Sequence, residues 1–298
     1  MVRFIHGAAF GIASTTVLTA VMDLIPTERR GEGTSYFALS TTAAMALGPY
    51  LGLYIMQNEE FKIIFAACTV FSVICLTASL FFKVPEAHIT KEQIQAIKQG
   101  FKLQDFMEKK AMPISIIMVF MGIAYSGILS FLNSFAIEIH LTEAASIFFS
   151  VYAVFLFVSR PFTGRLLDLK GDNIVIYPAL ILFSLSLLLL SLAHSGPVLL
   201  LAAPLVALGF GTVMSCGQAI AVKESPRHRV GLATSTFFIC IDGGMGIGPF
   251  ISGVIIPVVG FRGMYLILAV VVFLSIILYH FVHGKKATLR KQCMLEEA

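Results

Sequence analysis

The sequence predicts an all-α integral membrane protein, and three observations lead to this fold class. The 298 residues are 57% hydrophobic and 13% charged, with a mean hydropathy of +0.89, whereas soluble domains carry about 25% charged residues. Several stretches of about 20 residues are almost free of charge, which is the length that an α-helix needs to cross a bilayer core. The basic residues cluster in alternate connections, as they do in multi-pass proteins.

Nine transmembrane helices are predicted from the apolar stretches. Their approximate ranges are 4–24, 33–56, 61–83, 112–138, 143–166, 174–193, 197–221, 232–256 and 263–283. Most connections are short, but residues 84–111 form a long polar segment that is typical of an interdomain linker. We therefore predict three spans in residues 1–83, the cytoplasmic linker 84–111, six spans in 112–283 and a cytoplasmic tail at 284–298.

The distribution of lysine and arginine predicts the orientation of these spans. Of the 21 basic residues, 18 lie in alternate connections and the tail, in or beside residues 25–32, 84–111, 160–173, 222–231 and 284–298. Only Arg3, Lys62 and Arg262 remain for the other side. Because cytoplasmic loops carry the excess of positive charge, we predict a multi-pass plasma-membrane protein with a cytoplasmic C-terminus.

One segment of the chain occurs twice. Residues 29–52 (RRGEGTSYFALSTTAAMALGPYLG) align without a gap with residues 229–252 (RVGLATSTFFICIDGGMGIGPFIS), and ten of the 30 positions from 26 to 55 match their partners 200 residues later. Chance would give about two or three matches in this composition. Because the matches include arginine, glycine and proline, shared apolar character does not explain them, and we interpret them as an internal duplication.

The offset of the repeat predicts a larger ancestral plan. The first three spans of the second copy cover about residues 112–193, so their counterparts would precede residue 1. We therefore expect a parent protein with six plus six spans, of which this chain carries the last nine. Two parallel repeats of six spans around a central loop are the plan of a large transporter class.

This plan resembles that of the major facilitator superfamily, and the chain is most similar to its bacterial drug:proton antiporter (multidrug efflux) branch. The resemblance covers essentially the whole chain and begins at what would be the fourth of the family's twelve spans. It implies two six-helix bundles, of which nine helices are present here.

The repeated glycine-proline motif predicts a pliable helix at a close helix contact. It comprises Gly48, Pro49 and Gly52 in the first copy and Gly248, Pro249 and Gly253 in the second copy. Proline loosens a helix by removing a backbone N–H, and glycine lets a neighbouring helix approach. A packing kink without a mechanistic role is the alternative. Resemblance to the family's antiporter motif implies export.

Two further motifs resemble conserved segments of the family. Arg3 begins RFIHGAAFG, and the arginine of the family's fourth-span motif is implicated in proton transfer, although an interfacial arginine would also explain Arg3. The segment GRLLDLKGD resembles the family's cytoplasmic-loop motif at Gly164, Leu166, Asp168 and Gly171. Asp168 could sit at a helix N-terminus or pair with Arg165 or Arg229, and so latch the cytoplasmic side shut. The alternative is an ordinary solvated loop.

A few polar residues interrupt the apolar spans. Asp242 lies about 15 Å into its span, and an intramembrane carboxylate is by default a functional candidate that could bind and release a proton. The alternative is a carboxyl group that fixes helix packing. Candidates for lining a substrate cavity are Asn133, Tyr125, Tyr152 and Gln218.

Several classes of function are excluded by what the sequence lacks. It contains no GxxxxGK[ST] motif for ATP hydrolysis and no HExxH metal motif, so we predict no enzyme, cofactor, catalytic residue or metal site. Its loop charges do not form a nucleic-acid face. The leading hypothesis is a monomeric secondary transporter that exports a small amphipathic molecule against inward proton flow, in contact with the lipid bilayer. The alternatives are an uptake permease of the same fold, or a partial transporter without activity.

Overall fold

The computed structural model describes residues 1–29, 32–41, 44, 55, 60–81, 107–226 and 229–289, and every regular element within them is helical. Their order is α1 (Val2–Leu24), α2 (residues 32–41), α3 (Phe61–Phe81), α4 (Met112–Glu138), α5 (Thr142–Lys170), α6 (Asp172–Ser191), α7 (Gly196–Val206), α8 (Thr212–Glu224) and α9 (Val230–Tyr279). This confirms the all-α class. We call α1–α3 the N-terminal half and α4–α9 the C-terminal bundle.

Two helices depart from regular α geometry. A π-helical segment, Ala207–Gly211, joins α7 to α8, so that the two form one continuous stretch. Helix α9 is broken at Gly260, whose φ of +71° lies in the left-handed region that glycine adopts without steric cost. The break falls between the two predicted spans 232–256 and 263–283.

Seven stretches of the described chain are long and apolar enough to cross a membrane. The last of them, Val230–Leu289, includes the break at Gly260, and most of the predicted span 33–56 lies outside the described residues. The chain therefore spans a membrane several times, and the count of nine helices stays a prediction.

The main apolar core lies within the C-terminal bundle. Its buried residues all fall between Ala111 and Tyr279, and the largest include Phe135, Phe183 and Tyr265. Helices α4 and α9 approach closely because glycines face backbone: a side chain on Gly244 would collide with the backbone of Val119. Small residues at such crossings let helices pack in a bilayer, where no hydrophobic force drives them together.

The N-terminal half buries much less of its surface. Large apolar side chains are exposed along α1 and α3, among them Phe4, Phe10, Phe65 and Phe71. Exposed apolar side chains of this density suit a hydrocarbon environment rather than water.

The structure corrects the predicted place of Arg160. Sequence analysis counted it among the cytoplasmic charges of residues 160–173, although the predicted span 143–166 contains it. Helix α5 continues to Lys170, so Arg160 lies ten residues before its end and is only 4% exposed. The helix is longer than predicted because Leu166, Leu167 and Leu169 keep it apolar beyond the assumed end. Arg160 is therefore a buried cation and not a loop charge.

Candidate functional site

The two halves of the molecule meet at one end, where the connections α1–α2, α5–α6 and α8–α9 lie. We call this the basic end because lysine and arginine residues cluster in and beside those connections. Leu18 near the end of α1 is buried with Val222 and Val230 of the C-terminal bundle. Ile25, Phe37 and Phe238 pack around this cluster. We call it the basic-end contact.

A hydrogen bond between the halves lies beside this contact. The backbone N–H of Glu32, at the start of α2 as described, donates to Oδ2 of Asp168 over 2.8 Å. A carboxylate at a helix N-terminus is stabilised both by the free N–H groups and by the helix dipole. In the same motif Gly164 is buried, Arg165 is exposed and Gly171 ends α5 with a φ of +87°.

Arg229, just before α9, is paired with a residue that sequence analysis did not single out. Its Nε lies 3.0 Å from Oε2 of Glu108, which is 3% exposed. The backbone N–H of Glu108 also donates to Oγ1 of Thr236 over 2.8 Å. The end of the predicted linker is thus fixed to the start of α9. In the sequence, Glu108 stands out only as a charged residue shortly before Pro113, and its pairing with Arg229 was not predicted.

A second polar cluster ties the basic end of the C-terminal bundle together. Asp172 at the start of α6 lies 2.9 Å from Nε2 of the buried His283 and 3.5 Å from Nζ of Lys223. Next to it, Asn173 donates to the carbonyl of Gly284 over 2.9 Å. The start of α6, the end of α8 and the segment after α9 are therefore held as one unit.

Asp242 faces away from the core of the C-terminal bundle. Its neighbour Ile241 is buried against α4, whereas Asp242 itself is exposed in the described chain. It lies one turn after Phe238, so the two share a face of α9. Because Phe238 packs on the basic-end contact, Asp242 lies on the same face of α9 as that contact, one turn farther along the helix.

The other residues of the predicted motifs are only partly described. Gly248 packs tightly against Ile123 and Ser126 of α4, whereas nothing lies within 4 Å of a side chain placed on Gly253. Pro249 lies inside α9. Gly48, Pro49 and Gly52 lie outside the described residues, and Arg3 belongs to the first turn of α1, where only its backbone is described.

The structure brings together two of the four predicted cavity residues. The rings of Tyr125 and Tyr152 are 6.2 Å apart, and Tyr125 stacks on Phe210 with a centroid distance of 4.0 Å and an interplanar angle of 5°. Phe210 belongs to the π-helical segment, which sequence analysis did not predict. Gln218 is buried on α8, whereas Asn133 is exposed two turns along α4 from Tyr125.

The described residues contain no group of three His, Cys, Asp or Glu side chains placed to hold a metal ion. The polar groups of the site are instead carboxylates, one buried guanidinium and tyrosine hydroxyls. This set can hold and exchange protons and can bind an organic molecule through polar and aromatic contacts.

A family model described as Major Facilitator Superfamily matches residues 1–242, and a second match covers residues 144–292. The two matches overlap, as expected for a chain that contains related helical repeats. Together they cover nearly all of the chain.

Curated relatives of similar sequence are named for transport, export or multidrug resistance. An uncharacterized MFS-type transporter of Methanocaldococcus jannaschii is 23% identical over 270 residues, covering 89% of this chain and 69% of the relative. The staphylopine export protein of Staphylococcus aureus is 24% identical over 294 residues, covering 93% of this chain and 71% of the relative. The multidrug resistance protein MdtG of Dickeya zeae is 29% identical, covering 59% of this chain and 45% of its own length.

A solved structure also has a similar fold. The crystal structure of the human organic anion transporter MFSD10 (TETRAN) superposes with a TM-score of 0.69, covering 89% of this chain and 67% of that one. Its sequence identity of 16% makes this a likeness of fold.

Proposed function

This chain belongs to the Major Facilitator Superfamily, and from that premise we propose that it exports a small amphipathic molecule by proton antiport. As a family member it is a membrane-spanning transporter of small molecules and not an enzyme. The proposal places it in the plasma membrane as a monomer, with the basic end and the C-terminus in the cytoplasm.

The direction of transport is supported by relatives and by a motif. The relatives from Dickeya zeae and Staphylococcus aureus are named as multidrug resistance and export proteins. The paired Gly-Pro motif at Gly48-Pro49 and Gly248-Pro249 resembles the antiporter motif of exporters. Both point to export rather than uptake.

Alternating access is supported by the way in which the halves touch. The contacts between them described above are the basic-end contact and the bond from Glu32 to Asp168. At the other end of α1, Phe4 and Phe10 are exposed. Rocking the halves about their interface would have to break these contacts of the described residues to open the basic end.

The observation that supports proton coupling is the exposure of Asp242 on the face of α9 that carries Phe238 of the basic-end contact. Asp242 lies roughly three helical turns beyond Val230 along α9. Arg3 lies roughly four turns before Leu18 along α1. Since Val230 and Leu18 meet in the basic-end contact, the backbones of Asp242 and Arg3 stand at comparable heights above it. We propose that the carboxyl group of Asp242 binds the transported proton and that Arg3 assists its exchange.

Everted membrane vesicles test this function directly. Vesicles that contain the chain are expected to accumulate the cationic dye rhodamine 6G when respiration acidifies their interior, and to lose it when an uncoupler is added. Vesicles without the chain are the control. Accumulation that is insensitive to the uncoupler would contradict antiport, and accumulation only in right-side-out vesicles would contradict export.

Replacing Asp168 with alanine is expected to open the basic end. The variant loses a hydrogen bond to a charged acceptor, which is worth about 1.5–3 kcal/mol, so the closed arrangement should lose about tenfold or more in population. We expect the cysteine of Thr19→Cys, in a cysteine-free background, to react at least severalfold faster with an impermeant maleimide added to everted vesicles. The matched control is Glu143→Ala, at the opposite end of α5. An unchanged rate for Asp168→Ala would contradict a gating role.

A further inference from the structure

We propose that Arg160 is a binding site for an oxyanion, such as a carboxylate, on the transported molecule. The inference deepens the proposed function, on which it rests, by naming a substrate class: amphipathic organic anions or zwitterions with an aromatic or apolar body. No motif of the sequence pointed to it, because Arg160 was counted there as a loop charge.

Arg160 is buried without a counter-ion among the described residues. The residue is 4% exposed, and its Nη1 donates to the carbonyl of Gly211 over 3.1 Å. Its Nε is sealed from solvent and has no hydrogen-bond partner in the part of the chain that the structure describes. No carboxylate of the described residues lies within ion-pair distance of it. A guanidinium offers five N–H donors, so most of its capacity in the described chain is unused.

Two other buried charged residues in the described chain, unlike Arg160, have oppositely charged partners. Glu108 is paired with Arg229, and Asp172 is paired with His283 and Lys223. An uncompensated charge within a membrane protein is costly, and such residues usually face a partner, a cavity or a substrate pathway. An anion bound at the free side of Arg160 would therefore offset part of the cost of burying its charge.

Polar and aromatic side chains lie near the guanidinium of Arg160. Tyr152 and Cys216 lie close enough to Arg160 for electrostatic interaction. Tyr152 in turn adjoins the stacked rings of Tyr125 and Phe210. A planar guanidinium fork binds a carboxylate through two parallel hydrogen bonds, and the aromatic faces next to it suit the apolar body of the same molecule.

The backbone at this point is also irregular, as it is at many functional sites. Pro161 follows Arg160 directly. Gly211, whose carbonyl accepts the hydrogen bond from Arg160, is the last residue of the π-helical segment. Single turns of π-helix recur at functional sites. Irregular backbone at membrane depth is tolerated where it is buried in protein or lines a cavity.

Binding of two dyes to the purified full chain tests the inference separately from transport. 5-Carboxyfluorescein carries carboxylates, and rhodamine 6G is a cation with a related ring system. For Arg160→Gln we expect the dissociation constant for 5-carboxyfluorescein, measured by fluorescence anisotropy, to rise at least about tenfold, while that for rhodamine 6G changes less than twofold. Arg160→Lys should give an intermediate loss, because it keeps the charge but not the fork.

The control is Lys170→Gln, which removes an exposed cation from the end of the same helix and should leave both dissociation constants unchanged. Equal weakening of both dyes in Arg160→Gln would overturn the proposal in favour of a purely structural arginine. So would unchanged binding of 5-carboxyfluorescein. If Arg160-dependent binding of 5-carboxyfluorescein is found but energised everted vesicles accumulate neither 5-carboxyfluorescein nor rhodamine 6G, the export function fails and the oxyanion site stands.

A lipid phosphate is the other source of an oxyanion, and a second arm distinguishes it. Dye binding is measured in nanodiscs of phosphatidylcholine alone and with phosphatidylglycerol added. Equal affinity of the wild-type chain in both supports a site for the transported molecule. Competition by phosphatidylglycerol that disappears in Arg160→Gln would overturn that assignment, since the guanidinium would then belong to a lipid headgroup.

Discussion

Replacing Asp242 with asparagine is expected to abolish proton-driven accumulation of rhodamine 6G in everted vesicles, with a loss of at least about tenfold in initial rate. Asparagine has nearly the same shape and keeps polar contacts, but it cannot carry a proton. Because Asp242 is exposed on the face of α9 that points away from the bundle core, its replacement should leave the amount of chain and its thermal unfolding unchanged. The loss would therefore report on coupling rather than on folding.

The same variant should still catalyse downhill movement of dye, since proton release would no longer limit a cycle driven by the substrate gradient alone. Glu143→Gln is the matched control, because it neutralises an exposed carboxylate at the first turn of α5, and it should retain full accumulation. Normal coupling in Asp242→Asn would remove Asp242 from the proton pathway. A drop in unfolding temperature together with activity would instead favour a role in packing.

The helices of the C-terminal bundle were predictable because their apolar runs are long and end at clear signals. Helix α4 runs over Met112–Glu138, as predicted, with Pro113 in its first turn where the missing N–H costs nothing. Helix α5 was predicted to end at residue 166, because the segment that contains Asp168 and Lys170 was assigned to a loop, whereas the helix continues to Lys170. The π-helical segment after α7 was not predictable, since periodicity does not distinguish one extra residue in a turn from regular helix.

The candidate site was predictable only where a single helix determines it. The depth of Asp242 follows from its position in one span, and a carboxylate at a helix N-terminus was one of the two arrangements considered for Asp168. The pairing of Glu108 with Arg229 joins residues far apart in sequence, and nothing in one sequence indicates which distant charges meet. The burial of Arg160 depends likewise on α8 and the π-helical segment packing across it.

The glycines of α9 show how the duplicated motif serves two faces of one helix. Gly244 and Gly248 face α4, where a side chain would meet backbone or Ser126. Gly243 and Gly246 face away, with nothing within 4 Å of an added side chain. The face with Gly244 and Gly248 packs α9 against α4. Asp242 belongs to the open face with Gly243 and Gly246. Any movement of Asp242 must therefore carry α4 with it.

Replacing Gly244 with alanine is accordingly expected to destabilise the bundle by about 1–3 kcal/mol, the usual cost of overpacking a tight contact. The added methyl group would lie 3.0 Å from the carbonyl carbon and 3.1 Å from the Cα of Val119, with the carbonyl oxygen closer still. These are backbone atoms, so no side-chain rotation relieves the clash. The midpoint of thermal unfolding in detergent should fall by about 5 °C or more.

Gly246→Ala is the matched control, because it makes the same chemical change half a turn away on the open face. It should leave the midpoint unchanged or raise it slightly, since alanine is the better helix former. Equal effects of the two substitutions would mean that helix propensity, and not the α4–α9 contact, determines the result. If only Gly244→Ala is destabilising, the close α4–α9 contact is what holds the two helices together, and a rocking mechanism that moves them as one pair requires such a contact.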